Sequence, residues 1–158
     1  MKEFLGFCLF MMMTVSVYAQ EGYPVQNYSS ASLVTKAWEA LEKNDVDGVM
    51  VYANKCIELY AKQARNMQEG LKDYPMGSKD NIFQYWALND VGTALFILGE
   101  ACRKAGKYEE AAQAYKKLIN EYFYAQCWDT KGWFWKPAEA AQKKLVEEER
   151  YLSLNQWF

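Results

Sequence analysis

The chain of 158 residues contains no histidine, and this absence removes several kinds of chemistry at once. Histidine is the commonest general base, the usual partner of a nucleophilic serine or cysteine, and a frequent metal ligand. Only three prolines and nine glycines are present, so few points force a break in secondary structure. Ala, Lys, Glu and Leu are abundant and favour helices. The composition therefore predicts an all-α fold in a single domain.

An excess of positive charge is also missing. The 18 Lys and Arg residues against 20 Asp and Glu give a net charge of −2, whereas binding to a phosphate backbone needs a basic surface. We therefore expect no nucleic-acid partner. No two carboxylates are fixed at glycosidase spacing by a motif, no glycine-rich phosphate loop is present, and the cysteines lack the close pairs of zinc sites. We expect no catalytic residue, no metal and no cofactor.

The first 19 residues have the pattern of a secretory signal peptide. A short charged start precedes an almost wholly apolar run from Phe4 to Val17, and small residues stand at Val17 and Ala19, the two positions that a signal peptidase reads. A membrane helix needs about 20 apolar residues, so a membrane anchor is the second interpretation. We expect cleavage after Ala19 and an exported protein, periplasmic or, as the alternative, extracellular.

Beyond the signal peptide we predict a linker at residues 20–30 and a helical domain at residues 31–158. Three cysteines remain in the mature chain, so at most one internal disulfide can form. Cys56 and Cys102 fall on apolar helical faces and are expected to be packing residues. Cys127 falls in a predicted loop and is the candidate for a reactive or partnered thiol. The sequence leaves the pairing among these cysteines open.

Apolar residues recur at helical spacing in five segments of the mature chain. Ser78 or Asp80 is the expected N-cap of the third helix, and Gly106 the expected C-terminal cap before the fourth. Lysines and glutamates on the last helix predict two solvent-exposed pairs, Lys143 with Glu147 and Lys144 with Glu148. The predicted helices span approximately residues 33–41, 49–71, 78–104, 108–122 and 137–151.

Small and large side chains alternate through the third and fourth helices in a regular order: Leu95, Leu98, Gly99, Cys102, Gly106, Tyr108, Ala111, Tyr115 and Leu118. In spacing and kind, this segment resembles a tetratricopeptide repeat, a helix-turn-helix unit of 34 residues. Gly99 and Ala111 would let two antiparallel backbones approach closely, while the larger side chains fill the space around them. A weaker copy, without the glycines of the family, lies 62 residues earlier and covers residues 31–60.

The resemblance implies antiparallel hairpins stacked as a short solenoid, closed by a C-terminal capping helix. It also implies a concave groove that holds a peptide or partner protein. Trp38 and Phe96 would be its anchors, although both could instead face an adjacent helix. The groove-facing positions carried over from the family are Val34, Trp38, Leu41 and Glu42 in the weaker unit and Thr93, Phe96, Glu100, Arg103 and Lys104 in the second.

Aromatic residues are densest just before the last helix, at Tyr122, Phe123, Tyr124, Trp128, Trp133, Phe134 and Trp135. Two interpretations remain open for this aromatic loop. Trp128, Trp133, Phe134 and Trp135 could form a stacking platform for a cell-wall glycan or a docking patch, or the rings could seal the open end of the solenoid against the last helix. Trp157-Phe158 could join that seal or serve as a docking tag.

These observations predict a non-catalytic scaffold of the bacterial cell envelope that binds another protein or a peptide segment. A cell-wall glycan-binding accessory protein that uses the aromatic loop is the alternative. Whether two copies pair through an open solenoid end is left undecided by the sequence.

Overall fold

A computed structural model describes residues 22–155. The predicted signal peptide, the start of the linker and the terminal Trp157-Phe158 lie outside the described residues. Within the described range the chain forms six helices and two short strands, so the predicted all-α fold is confirmed. Among these helices, none combines the length and the hydropathy that a membrane span requires. The elements are α1 (Ser30–Glu42), α2 (Val46–Glu69), α3 (Lys79–Phe83), α4 (Trp86–Lys104), α5 (Tyr108–Glu121), β1 (Cys127–Trp128), β2 (Phe134–Trp135) and α6 (Pro137–Asn155).

Local chemistry sets where the helices begin and end. Ser29, Asp45 and Ser78 cap α1, α2 and α3, each accepting a hydrogen bond from the backbone N–H three residues further on. Pro137 stands at the first position of α6. A backbone N–H at that position would have no acceptor within the helix, so proline costs no hydrogen bond there. Gly106 follows α4 with a φ of +73°, a conformation that favours glycine. The predicted caps at Ser78 and Gly106 are confirmed.

The predicted third helix is in fact two helices, α3 and α4, separated at Gln84 and Tyr85. The buried side chain of Asn89 stabilises this break: its Nδ2 donates to the carbonyl of Ile82 at 3.0 Å, and its Oδ1 accepts from the backbone N–H of Gln126 at 2.8 Å. A continuous helix would use the Ile82 carbonyl within its own ladder. The single helix expected over this stretch was therefore wrong.

Two helical hairpins form the body of the domain. Residues 43–45 join α1 to α2, and residues 105–107 join α4 to α5, so the helices of each pair run in opposite directions. The hairpins meet mainly through α2 and α4, while α6 packs on α5 and also touches α4. The fully buried large side chains at these contacts include Leu33, Val49, Leu88, Ile97, Tyr115 and Leu118.

Gly99 lets α4 and α5 approach closely. A Cβ added at Gly99 would lie 2.2 Å from Cε1 of Tyr115, whose side chain is completely buried. Ala111, the other small residue singled out, is also completely buried on α5. The predicted close contact between these two helices is confirmed, whereas the stacking of the hairpins as a tetratricopeptide-like solenoid stays a prediction.

The predicted charge pairs on α6 were wrong. Glu148 is only 3% exposed, and its Oε1 lies 3.8 Å from Nε of Arg103 on α4. Nζ of Lys144 instead lies 3.9 Å from Oε2 of Glu147. The turn of α6 that carries Glu148 packs towards α4 and α5, so this carboxylate is removed from solvent and faces an arginine.

Candidate functional site

The aromatic loop is an ordered β-hairpin, called here the aromatic hairpin (residues 127–135). Its strands β1 and β2 pair antiparallel, with Cys127 opposite Trp135 and Trp128 opposite Phe134. A tight turn joins them, in which the N–H of Gly132 donates to the carbonyl of Asp129 at 2.9 Å and Gly132 adopts a φ of +105°. The turn therefore sets the register of the two strands, which decides which rings share a face of the hairpin.

The aromatic hairpin packs against helices from both helical hairpins. The ring centroid of Trp135 lies 5.0 Å from that of Phe96 on α4 and 6.4 Å from that of Trp38 on α1, both in edge-to-face geometry. The sequence offers the groove residues and the aromatic loop as two separate candidates. The structure brings them together at one place.

Two adjoining cavities lie at this meeting point, and together we call them the aromatic groove. They share four lining residues: Trp38, Cys127, Trp128 and Thr130. The first has a volume of about 620 Å³ and is further lined by Glu42, Phe96, Asp129, Trp133, Trp135 and Ala140. The second has a volume of about 530 Å³ and is further lined by Ala31, Val34, Thr35, Phe83, Trp86, Asn89, Asp90, Thr93 and Gln126.

The predicted site residues divide into two groups. Those that line the aromatic groove are Val34, Trp38, Phe96, Trp128, Trp133 and Trp135, together with Thr93 and Glu42. Phe134 is not among the lining residues; it is half-buried, with its ring centroid 4.9 Å from that of Trp128 and 5.5 Å from that of Phe83. Glu100, Arg103 and Lys104 are not among the lining residues and lie in other contacts.

Glu100 and Arg103 belong to a charge network between α4, α5 and α6. Nη2 of Arg103 lies 3.0 Å from Oε2 of Glu100, and the hydroxyl of Tyr115 donates to Oε1 of Glu100 at 2.6 Å. Burial alone would raise the pKa of Glu100, but the hydrogen bonds from Arg103 and Tyr115 outweigh it and lower that pKa. Burial raises the pKa of Glu148, on the other side of Arg103. Glu100 and Arg103 therefore connect α4 to α5 and α6.

Lys104 lies at the turn between α1 and α2. Its Nζ is 3.1 Å from Oδ1 of Asn44 and 3.4 Å from the carbonyl oxygen of Leu41. The lysine therefore links the two helical hairpins. Leu41, another position expected to face the groove, is buried in the core instead.

Sequence reasoning missed several residues of the second cavity, and the most chemically distinctive of them are Phe83, Trp86 and Asp90. The hydroxyl of Ser30 donates to Oδ2 of Asp90. Burial raises the pKa of Asp90, and the bond from Ser30 acts in the opposite direction. One signal could have found this carboxylate, since it is the single acidic residue in the otherwise mostly apolar stretch between Trp86 and Leu98.

The three cysteines of the described chain are all free. Cys56 and Cys102 are buried, as predicted for packing residues, and burial raises the pKa of the Cys56 thiol to about 12. Cys127 is half-buried in the aromatic groove, and burial raises its pKa as well. A raised pKa keeps this thiol protonated and weakens the case for a reactive thiolate. Residues 22–155 contain no cluster of cysteine and acidic side chains that could hold a metal ion.

No family model matches the chain, and neither a curated protein nor a solved structure matches it. The aromatic groove is therefore the feature of the molecule that bears on its function.

Proposed function

We propose that this protein is a non-catalytic binding scaffold of the cell envelope that holds a peptide segment of a partner protein in the aromatic groove. The observation that carries the proposal is the convergence of Trp38, Phe96 and Trp135 from three separate parts of the chain. Large rings in a preformed concavity bury much area at little cost in side-chain entropy, which is typical of binding anchors.

The resemblance to tetratricopeptide repeats supports the same location. Trp38 and Phe96 occupy positions that face the groove in that family, one in each helical hairpin. The order of helix contacts, α1 with α2, α2 with α4, and α4 with α5, is the order that stacked repeats would produce. In this proposal α6 is the capping helix, and the aromatic hairpin forms one wall of the groove.

A displayed library of random peptides of twelve residues, selected on the mature chain, tests the proposal. We expect selected peptides to bind the wild type and to lose at least about tenfold in affinity to Trp38→Ala and to Phe96→Leu, because each change removes a buried anchor. Leu59→Ala is the matched control, since Leu59 is an exposed apolar residue on α2 outside the groove. Each variant is first checked for native helicity by circular dichroism.

Failure to select any peptide from several libraries, or selected peptides that bind Trp38→Ala and Phe96→Leu as tightly as the wild type, would contradict the proposal. Isothermal titration calorimetry gives the affinities. A size measurement by light scattering in the same samples reports whether the chain pairs with itself.

Glycan binding is the second candidate, and one observation favours it. Trp133 lines the first cavity and is 50% exposed, so part of its ring is open for stacking against a sugar. Trp128 is less suited, because Nζ of Lys79 lies 3.6 Å from its ring centroid and covers one face. Calorimetric titration with soluble cell-wall oligosaccharides tests this candidate, which requires heat of binding that disappears in Trp133→Ala.

Export to the periplasm is part of the proposal and rests on the signal-like pattern of residues 1–19. Mass spectrometry of the protein recovered from fractionated cells should give a mature chain that begins at Gln20. Recovery of the uncleaved chain from the membrane fraction would favour the membrane-anchor interpretation instead.

A further inference from the structure

The second cavity of the aromatic groove combines four aromatic rings with a carboxylate, and we call it the Asp90 pocket. The rings come from four different elements: Trp38 from α1, Phe83 from α3, Trp86 from α4 and Trp128 from β1. Trp86 and Asp90 are four residues apart on α4 and therefore lie on the same face of that helix. Phe83 and Trp86 are 42% and 38% exposed, so part of each ring is open to a ligand.

Asp90 lacks a positive partner in the described chain. Its one hydrogen bond there comes from the hydroxyl of Ser30, and no Lys or Arg of residues 22–155 pairs with it. No Lys or Arg lines either cavity of the groove, whereas Glu42 and Asp129 add two more carboxylates to the first. A carboxylate withdrawn from water is costly unless a cation compensates it.

Aromatic rings and a carboxylate around one cavity are the combination that recognises an organic cation. Two of these rings already attract a cation of the chain itself, because Nζ of Lys79, outside the lining, lies 3.6 Å from the ring centroid of Trp128 and 5.2 Å from that of Phe83. Trp38 and Trp86 carry no such lysine within the described residues and are the rings offered to a ligand. The volume of about 530 Å³ is within the usual range for small-ligand sites and accommodates a long side chain.

We infer that the Asp90 pocket is a cation-binding site that receives a lysine or arginine side chain of the bound segment. The inference rests on the proposed function, because that function supplies the segment as the occupant. The cationic head pairs with Asp90, and its aliphatic stem lies between Trp38 and Trp86. The proposal adds a specificity rule to the groove: a segment needs one basic residue at the position that faces α4.

A pair of matched small probes tests the pocket without a peptide. n-Butylguanidinium corresponds to an arginine side chain together with its Cα carbon, and n-butylurea is its neutral counterpart. Chemical shifts of the tryptophan indole N–H groups, followed by NMR during titration of the full mature chain, give the two affinities. We expect n-butylguanidinium to bind at least about tenfold more tightly than n-butylurea, since a hydrogen bond to a charged group outweighs one between neutral groups.

Two variants and one control locate the effect. Asp90→Asn keeps the shape of the side chain and should reduce n-butylguanidinium affinity about tenfold while leaving n-butylurea affinity within twofold. Trp86→Leu should reduce n-butylguanidinium affinity severalfold through loss of a ring. Asp47→Asn removes the same charge from an exposed site on α2, outside the groove, and should leave both affinities unchanged.

Equal affinity for the two probes, or the same loss in Asp47→Asn as in Asp90→Asn, would overturn the cation site. The peptide selection separates this failure from that of the proposed function. Peptides that bind the groove without enrichment of Lys or Arg refute the specificity rule alone, whereas selection of no peptide refutes the proposed function while the probe titration still decides the cation site.

Discussion

Replacement of Gly99 by alanine should destabilise the protein, although alanine is the better helix former. The new Cβ would lie 2.2 Å from Cε1 of Tyr115, where carbon atoms normally stay about 3.5 Å apart or more. The ring would have to move by about 1.3 Å for ordinary contact. It has little room to do so, because it is fully buried and its hydroxyl is bonded to Glu100 at 2.6 Å.

The magnitude follows from two opposing effects. Overpacking of a fixed core costs about 1–3 kcal/mol, and this site belongs at the upper end. Alanine in place of glycine inside a helix raises the free energy of unfolding by about 1 kcal/mol. The net loss in the free energy of unfolding is therefore about 2 kcal/mol, which corresponds to a fall in Tm of roughly 6 °C for a chain of this size.

Thermal and urea unfolding followed by circular dichroism measure the change. Gly70→Ala is the matched control, because Gly70 has a helical φ of −80° at the end of α2 and an added Cβ would meet nothing within 4 Å. The free energy of unfolding of that control should rise by about 0.4–1 kcal/mol. A Gly99→Ala protein as stable as the control would refute the close approach of α4 and α5.

Three further predictions concern stability. Gly106→Ala should cost about 1 kcal/mol in chemical unfolding, because φ there is +73° although space is open. Glu100→Gln should be less stable than the wild type at neutral pH, because Arg103 and Tyr115 lower the pKa of Glu100 in the fold despite its burial. The difference in the free energy of unfolding should shrink as the pH falls below 4.5, the ordinary pKa of the group. A difference that stays constant down to pH 2 would contradict this. Asp90→Asn should unfold at the same or a higher temperature than the wild type at pH 7. Burial raises the pKa of Asp90 above 3.8, so the charged carboxylate destabilises the fold above that pH. A lower Tm would instead make Asp90 a structural residue.

The helical part of the fold could be predicted because local patterns determine it. Apolar spacing, the cap at Ser78 and the glycine at position 106 specify helices without any distant contact. The break between α3 and α4 could not be found in this way. It depends on Asn89, which bonds to a backbone N–H 37 residues further along the chain.

The site could be predicted residue by residue but not as one site. Trp38, Phe96 and the aromatic hairpin were each recognisable as candidates, yet nothing local indicates that Trp135 packs on both helices. Glu100 and Arg103 show the opposite case. They occupy positions expected to face a groove, but α6 brings the buried Glu148 to Arg103, and a long-range contact of this kind has no sequence pattern.

Five of the six tryptophans in the chain line the aromatic groove, and the sixth, Trp157, lies outside the described residues. The intrinsic emission of the protein under ultraviolet excitation therefore originates largely from the groove. Any occupant that desolvates or quenches these indoles changes the spectrum, so the unlabelled protein can serve as its own optical sensor in a screen of candidate partners.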